Sequence, residues 1–206
     1  MRLMIVAGSQ RHGSRSAELA RVIGGRVETL FPDATVDAID LGTEKLPYWD
    51  EDFPSRGGKW GEVWTPVSNR LARSDGFVVI APEWNGMVPP ALRNLFHLCN
   101  AGELAHKPGL IVSVSGGAGG AYPVTELRSS SYKNTHICWI PEHVIVRNAE
   151  STLEALRAGF SGQAPQDRVA DRIDYALRIL HAYMQALVGV RAAGIIDHET
   201  FRYGMS

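Results

Sequence analysis

Apolar residues recur along the chain in short separate runs, and the period of the pattern switches between two and about 3.6. LMIVA (Leu3 to Ala7), GFVVIAP (Gly76 to Pro82), GLIVSVS (Gly109 to Ser115) and HVIVRN (His143 to Asn148) read as strands. TVDAIDL (Thr35 to Leu41) alternates apolar and polar, as a strand nearer a sheet edge would. Runs such as GFVVIAP are apolar on both faces, which suits a parallel sheet covered by helices on each side.

Helical patterns lie between these runs. Ser14 or Ser16 can cap a helix reaching about Ile23, with Leu19, Ala20 and Ile23 on one face. Trp60 to Ser74 predicts another, with Val63, Val67 and Leu71 as its stripe, and Pro89 to Leu98 a third that opens on proline. Tyr122 to Ser131 gives a fourth. Asp167 to Val190 carries the clearest periodicity, with Asp167 as its cap and Ile173, Leu177, Leu180, Met184 and Leu187 on one side. Strand–helix alternation five times over predicts an α/β fold, an open doubly wound parallel sheet with helices on both faces.

Composition narrows the function classes. The chain has 206 residues, 45% hydrophobic and 21% charged, as expected of one globular domain. A formal net charge of −1 gives no global basic field, so nucleic acid is not an expected partner. No apolar run reaches the ~20 residues that cross a bilayer, and the N-terminal run lacks a signal-peptide pattern, so a cytoplasmic protein without membrane contact is expected. The seven histidines show no metal-ligand spacing. Cys99 and Cys138 are far apart and read as buried apolar thiols, so neither a disulfide nor a metal site is expected.

In such a sheet ligands bind beyond the carboxyl ends of the strands. The loops there have unusual compositions: GSQRHGSRS, PEWNGMVPP and SGGAGGAYP. The first leads into a helix N-terminus, where N–H groups and the dipole favour an anion. Ser9, Ser14 and Ser16 add hydroxyl donors and Arg11 a guanidinium fork, with Arg15 a weaker candidate. The loop matches neither GxGxxG nor GxxxxGK[ST], which disfavours a dinucleotide or NTP-type loop, and serine-rich donors without a lysine suit a terminal phosphomonoester. The second loop, with Pro82, Glu83, Trp84, Asn85 and Gly86, is rigid and aromatic, suited to the edge and face of a planar heterocycle. The third, with Ser115, Gly116 and Gly117, lacks side chains where something flat could approach. A phosphate on loop one and a flat ring between loops two and three together predict FMN. Read singly, loop one also fits a helix cap with solvated arginines, loop two a rigid turn with a packing tryptophan, and loop three a flexible connection.

These stretches resemble the NADPH-dependent FMN reductase family. GSQRHGSRS is similar to its GSxRxxSxN motif, PEWNGMVPPALRNLFH to its PEYNxSxPxxLKNAID, LPYWDEDFP (Leu46 to Pro54) to its LPxYDxDxE loop, and VSVSGGAGGAYPVTELR to its glycine-rich loop and helix. The resemblance covers about residues 1 to 190. It implies a flavodoxin-like sheet of order 2-1-3-4-5, non-covalent FMN and reduction by NADPH or NADH. By matching positions, Ser9, Arg11, Ser14 and Ser16 hold the phosphate, Pro82 to Gly86 line the isoalloxazine, and Ser115, Gly116 and Gly117 close its other side. It also implies a homodimer or homotetramer with Tyr48, Trp49, Asp50 and Asp52 near the interface. Residues 1–190 are expected to form a flavodoxin-like FMN-binding domain, and residues 191–206 a tail that is either disordered or at a subunit interface, where Phe201 and Tyr203 could pack on a partner. Three positions depart from the pattern: Ser16 for asparagine, Trp84 for tyrosine and His97 for aspartate.

The expected activity is hydride transfer from NAD(P)H through FMN to a quinone, azo compound, metal oxyanion or free flavin, by ping-pong kinetics and with no side chain required as acid or base. The alternative is a flavin-binding electron carrier or redox sensor without turnover. A hydrolase built on Ser115 with His97 or His143 is disfavoured, because no G-x-S-x-G elbow is present.

Overall fold

The structure, a computed structural model, describes residues 1–158 and 165–201. Five strands form one parallel sheet in the order β2-β1-β3-β4-β5: β1 (Arg2–Ala7), β2 (Thr35–Asp40), β3 (Gly76–Pro82), β4 (Pro108–Val114) and β5 (Cys138–Val146). Six helices flank it: α1 (Arg15–Leu30), α2 (Lys59–Ala72), α3 (Pro90–Leu98), α4 (Ala121–Ser130), α5 (Ala149–Ala158) and α6 (Pro165–Ala192). This is the doubly wound, flavodoxin-like arrangement expected from the sequence.

Alternation along the strands divides the core in two. Leu3, Ile5, Val78, Ile80, Leu110 and Val112 face α1, α5 and α6. Met4, Val6, Phe77, Val79 and Ile111 face α2, α3 and α4. Every residue of β3 and of β4 is buried.

Several elements differ from expectation for identifiable reasons. α1 continues seven residues past Ile23, through Gly24 and Gly25, because Val27 also packs on the sheet and the burial outweighs the glycine penalty. In α2 the buried stripe is Trp60, Trp64, Val67 and Leu71, whereas Val63 is exposed. β5 begins five residues before His143 and carries Pro141 and a register shift opposite Gly109 and Ile111. α5 was not anticipated. Cys99 is buried, and burial pushes its thiol up, but Cys138 is only half-buried. The Asp167 cap and Tyr203 lie outside the residues whose side chains are described.

One buried charge ties the layers together. The Lys107 Nζ donates to the carbonyls of Leu71 (3.2 Å), Ala72 (2.7 Å) and Glu103 (2.8 Å), closing the C-terminus of α2, and burial pushes its pKa down to about 8.

Candidate flavin site

The three sequence loops leave the carboxyl ends of β1, β3 and β4, which are adjacent in the sheet, so parallel topology alone brings them together. Close backbone packing holds loop one in place. A Cβ on Gly8 would sit 2.5 Å from Leu92 Cδ2 and 2.7 Å from the Ile80 oxygen, so only glycine fits there. Gly8 N donates to Ile80 O (2.9 Å).

Ser9 is buried, and its Oγ accepts from Arg11 N (3.3 Å). Ser14 is the N-cap of α1, its Oγ accepting from Ala17 N (3.2 Å). The Arg15 and Ser16 N–H groups open the helix and find no acceptor among the described residues, as an anion-binding first turn requires. Ser16 is buried in that turn.

Arg11 is exposed and has no carboxylate partner among the described residues. Arg15 is bound to Glu18 (3.1 Å) and Glu150 (2.5 Å). The two arginines of the motif are thus distinguished by structure: one is free to meet an anion and the other is neutralised.

Loop two is a tight turn. Trp84 N donates to Met87 O and Met87 N to Trp84 O, both at 2.9 Å, while Asn85 (φ 50°) and Gly86 (φ 75°) take left-handed conformations. This is the Asn-Gly signature of a type I′ turn. Pro82 ends β3 and is buried; Trp84 and Gly86 are half-buried, and Asn85 is exposed.

Glu83 does not point into open space. Its Oε2 accepts from Gly120 N (2.7 Å), and a Cβ on Gly119 would lie 2.5 Å from its Oε1. Since Gly120 caps α4, the carboxylate joins loop two to the start of that helix and complements its dipole.

In loop three, Ser115 Oγ accepts from Gly117 N (3.3 Å), and Ser115 N donates to Val146 O (2.9 Å). Added Cβ atoms at Gly116 and Gly117 would meet nothing within 4 Å. The open glycine shelf, the free first-turn N–H groups and the unpaired Arg11 fit a phosphate-bearing flat ring.

Three supporting residues escaped the sequence reading. Gln10 Oε1 accepts from Ala91 N (3.2 Å) in the first turn of α3. Arg147 Nε donates to Ala118 O (2.7 Å) and Gly119 O (3.0 Å), bracing loop three. Buried Asn94 holds the LPYWDEDFP loop, accepting from Trp49 N (3.0 Å) and donating to Pro47 O (2.8 Å). The chain positions involved are distant, and only the proximity of their elements reveals them.

In that loop, Asp50 accepts from Trp60 Nε1 (2.9 Å) and pairs with Lys59, which holds its carboxyl below the usual range; Tyr48 and Trp49 are exposed. A cavity of about 240 Å³ lies between this loop and loop one, lined by Gln10, Leu41, Lys45, Leu46, Tyr48 and Ala91. A larger cleft of about 650 Å³ lies between α3 and α4, where His97 lines it beside Phe96 and Cys99. It is remote from loops one and three, so size alone does not locate the chemistry.

The chain resembles known proteins along most of its length. It is 28% identical over 130 residues to Probable NADPH:quinone oxidoreductase 1 of Oryza sativa subsp. japonica, covering 62% of this chain and 65% of that protein. It is 27% identical over 161 residues to 2-hydroxy-1,4-benzoquinone reductase of Burkholderia sp, covering 75% of this chain and 83% of the relative. Among solved structures, an apo NADH:FMN oxidoreductase (EMOB) shares the fold with a TM-score of 0.65 at 15% identity, covering 98% of this chain and 94% of that one. The family model for NADPH-dependent FMN reductase matches residues 1–151, a span that contains all three loops, and the chain belongs to that family.

Proposed function

We propose that the protein is an NAD(P)H-dependent FMN oxidoreductase whose acceptors are small molecules of the quinone or azo class. The observation that carries this is the pairing of free first-turn N–H groups and an unpaired Arg11 on loop one with an open glycine shelf on loop three. The relatives named as quinone reductases and an FMN-dependent NADPH-azoreductase support the acceptor class.

FMN, when bound, would supply the two-electron hydride chemistry that links NAD(P)H to a small-molecule acceptor. The residues of this chain bind and orient. Ser9, Arg11, Ser14 and Ser16 would hold the FMN phosphate with hydroxyl, amide and guanidinium donors. Pro82 to Gly86 form a rigid turn that would wall one side of the ring, with the Trp84 indole available to contact it. Ser115, Gly116 and Gly117 leave the opposite side clear for stacking. Glu83 positions the Gly119–Gly120 backbone rather than moving a proton. Exposed Tyr48 and Trp49 provide apolar surface for a second copy of the chain, as in a homodimer or homotetramer.

The test is an absorbance spectrum after incubation with FMN and desalting. Retained bands near ~450 and ~375 nm, bleached anaerobically by NADPH and restored by a quinone with catalytic turnover, support the reading. Retained flavin without NAD(P)H consumption indicates an electron carrier or sensor instead.

A further inference from the structure

A second cluster lies at the opposite end of the sheet. His106 lies two residues before β4, His136 two residues before β5, and His198 belongs to the segment after α6. One ligand atom from each imidazole lies within 4.8 Å of the others, and all three residues are half-buried. We propose that His106, His136 and His198 bind a divalent transition-metal ion of the zinc class, which fastens the segment Ile195–Phe201 to the amino end of the sheet.

The three residues come from separate segments, and the backbone is shaped to present them. His106 (φ 54°) and His136 (φ 53°) both occupy the left-handed region, which is unfavourable for a non-glycine residue. His106 N donates to His136 O (2.9 Å), locking the two loops in register. Gly102 lies beneath the third imidazole; a Cβ there would be 3.8 Å from His198 Cδ2. Asp197 Oδ1 accepts from Glu199 N (3.1 Å) and Thr200 N (2.9 Å), forming the turn that carries His198. Arg191 donates to His106 O (3.1 Å) and faces Asp75 (3.7 Å).

The donor set fixes the class of ion. Three imidazole nitrogens without thiolate or a carboxylate cage suit Zn²⁺ and its late first-row neighbours, whereas Mg²⁺ and Ca²⁺ require oxygen. Zn–N bonds of about 2.0–2.1 Å in a tetrahedron place nitrogens about 3.3 Å apart, so imidazole rotation must draw the three ligand atoms, now within 4.8 Å of one another, only modestly closer. An adjoining cavity of about 450 Å³, bordered by Asn100, Asn134 and Glu199, leaves room for a fourth ligand such as water. Strands of this length separate the cluster from the flavin loops by about 20 Å, so the ion is structural and takes no part in hydride transfer.

The experiment uses full-length protein without a histidine tag, stripped by chelator, and titrated with Zn²⁺ alone by calorimetry and with Co²⁺ by visible absorption. One ion per chain and the intense visible bands of tetrahedral Co²⁺ are expected, with Zn²⁺ slowing proteolysis after Arg191. Loss of a mere partner of a metal ligand costs about 10–100-fold in affinity, so His198→Ala, which removes a ligand, weakens binding by at least about 100-fold. His136→Asn keeps a residue tolerant of the left-handed backbone and is expected to weaken binding equally. His97→Ala, in the other cleft, binds as the wild type does. No uptake by the wild type, or uptake unchanged in His198→Ala, overturns the proposal.

Discussion

The link between Glu83 and Gly120 is open to a direct energetic test. Its 2.7 Å hydrogen bond joins a carboxylate to the N-cap amide of α4. A bond to a charged group contributes about 1.5–3 kcal/mol, and a negative charge at a helix N-terminus about 0.3–1 kcal/mol. Glu83 is half-buried, so Glu83→Ala is expected to lose about 2 kcal/mol, near the lower end of the sum. For a chain of this size that lowers the melting temperature by about 4–8 °C. Glu83→Gln keeps an acceptor and loses the charge, so its cost is about 1 kcal/mol, or about 2–4 °C. Calorimetric melting of both variants without flavin provides the comparison, and FMN titration then shows how far loop three has shifted. An unchanged melting temperature in Glu83→Ala, together with lost FMN binding, would refute the strut and make Glu83 a direct flavin contact.

Arg11→Ala is expected to weaken FMN binding by about tenfold or more, equivalent to about 1.4 kcal/mol, with little change in stability; unaltered retention after desalting would remove Arg11 from the site. Trp84→Ala should alter the kcat and KM for a quinone while changing the melting temperature by less than about 4 °C, since the indole is only half-buried in a turn; a large thermal loss with wild-type kinetics would return it to a packing role. Arg70 grips Asp37 through two bonds (2.9 and 2.7 Å) and lowers that carboxyl's pKa. Its stabilisation, about 1 kcal/mol for this partly exposed pair, is present above the ordinary carboxylate range and lost as pH falls through the lowered value. The stability gap between wild type and Arg70→Ala should therefore close in strong acid, and a gap independent of pH would contradict the ion pair.

Local pattern reveals local structure best. GFVVIAP reads directly as a seven-residue buried strand because nothing in it competes, and it is one. Gly24 and Gly25 look like a helix end, yet burial of Val27 keeps the chain helical to Leu30. Pro141 hides the first half of β5, since a proline inside a strand pattern argues against it. Val63 and Trp64 differ by one position and by opposite burial; a stripe read at spacing four picks the wrong neighbour when an aromatic side chain fills the larger space. At the candidate flavin site, composition points to the three loops but not to each side chain's partner. Nothing in PEWNGMVPP reveals that its carboxylate turns to Gly120, or that Arg15, unlike Arg11, is neutralised by Glu18 and Glu150. The grouping of His106, His136 and His198 is invisible to spacing, because adjacent parallel strands bring together the first two, 30 positions apart, and the segment after α6 returns the third, 62 positions further on.

The position of β1 constrains the order of assembly. It is first in the chain yet lies inside the sheet, with Arg2 beside Thr35 on one flank and Leu3 beside Gly76 on the other. During synthesis its outer flank finds a partner early, while its inner flank waits until β3 has emerged. The glycine shelf arrives later still, after β4. Loop one is therefore synthesised well before the wall and shelf that complete the candidate cradle. Such non-local parallel pairing folds slowly. FMN can act on this chain as a late ligand that secures a finished sheet, and not as a template on which the sheet begins.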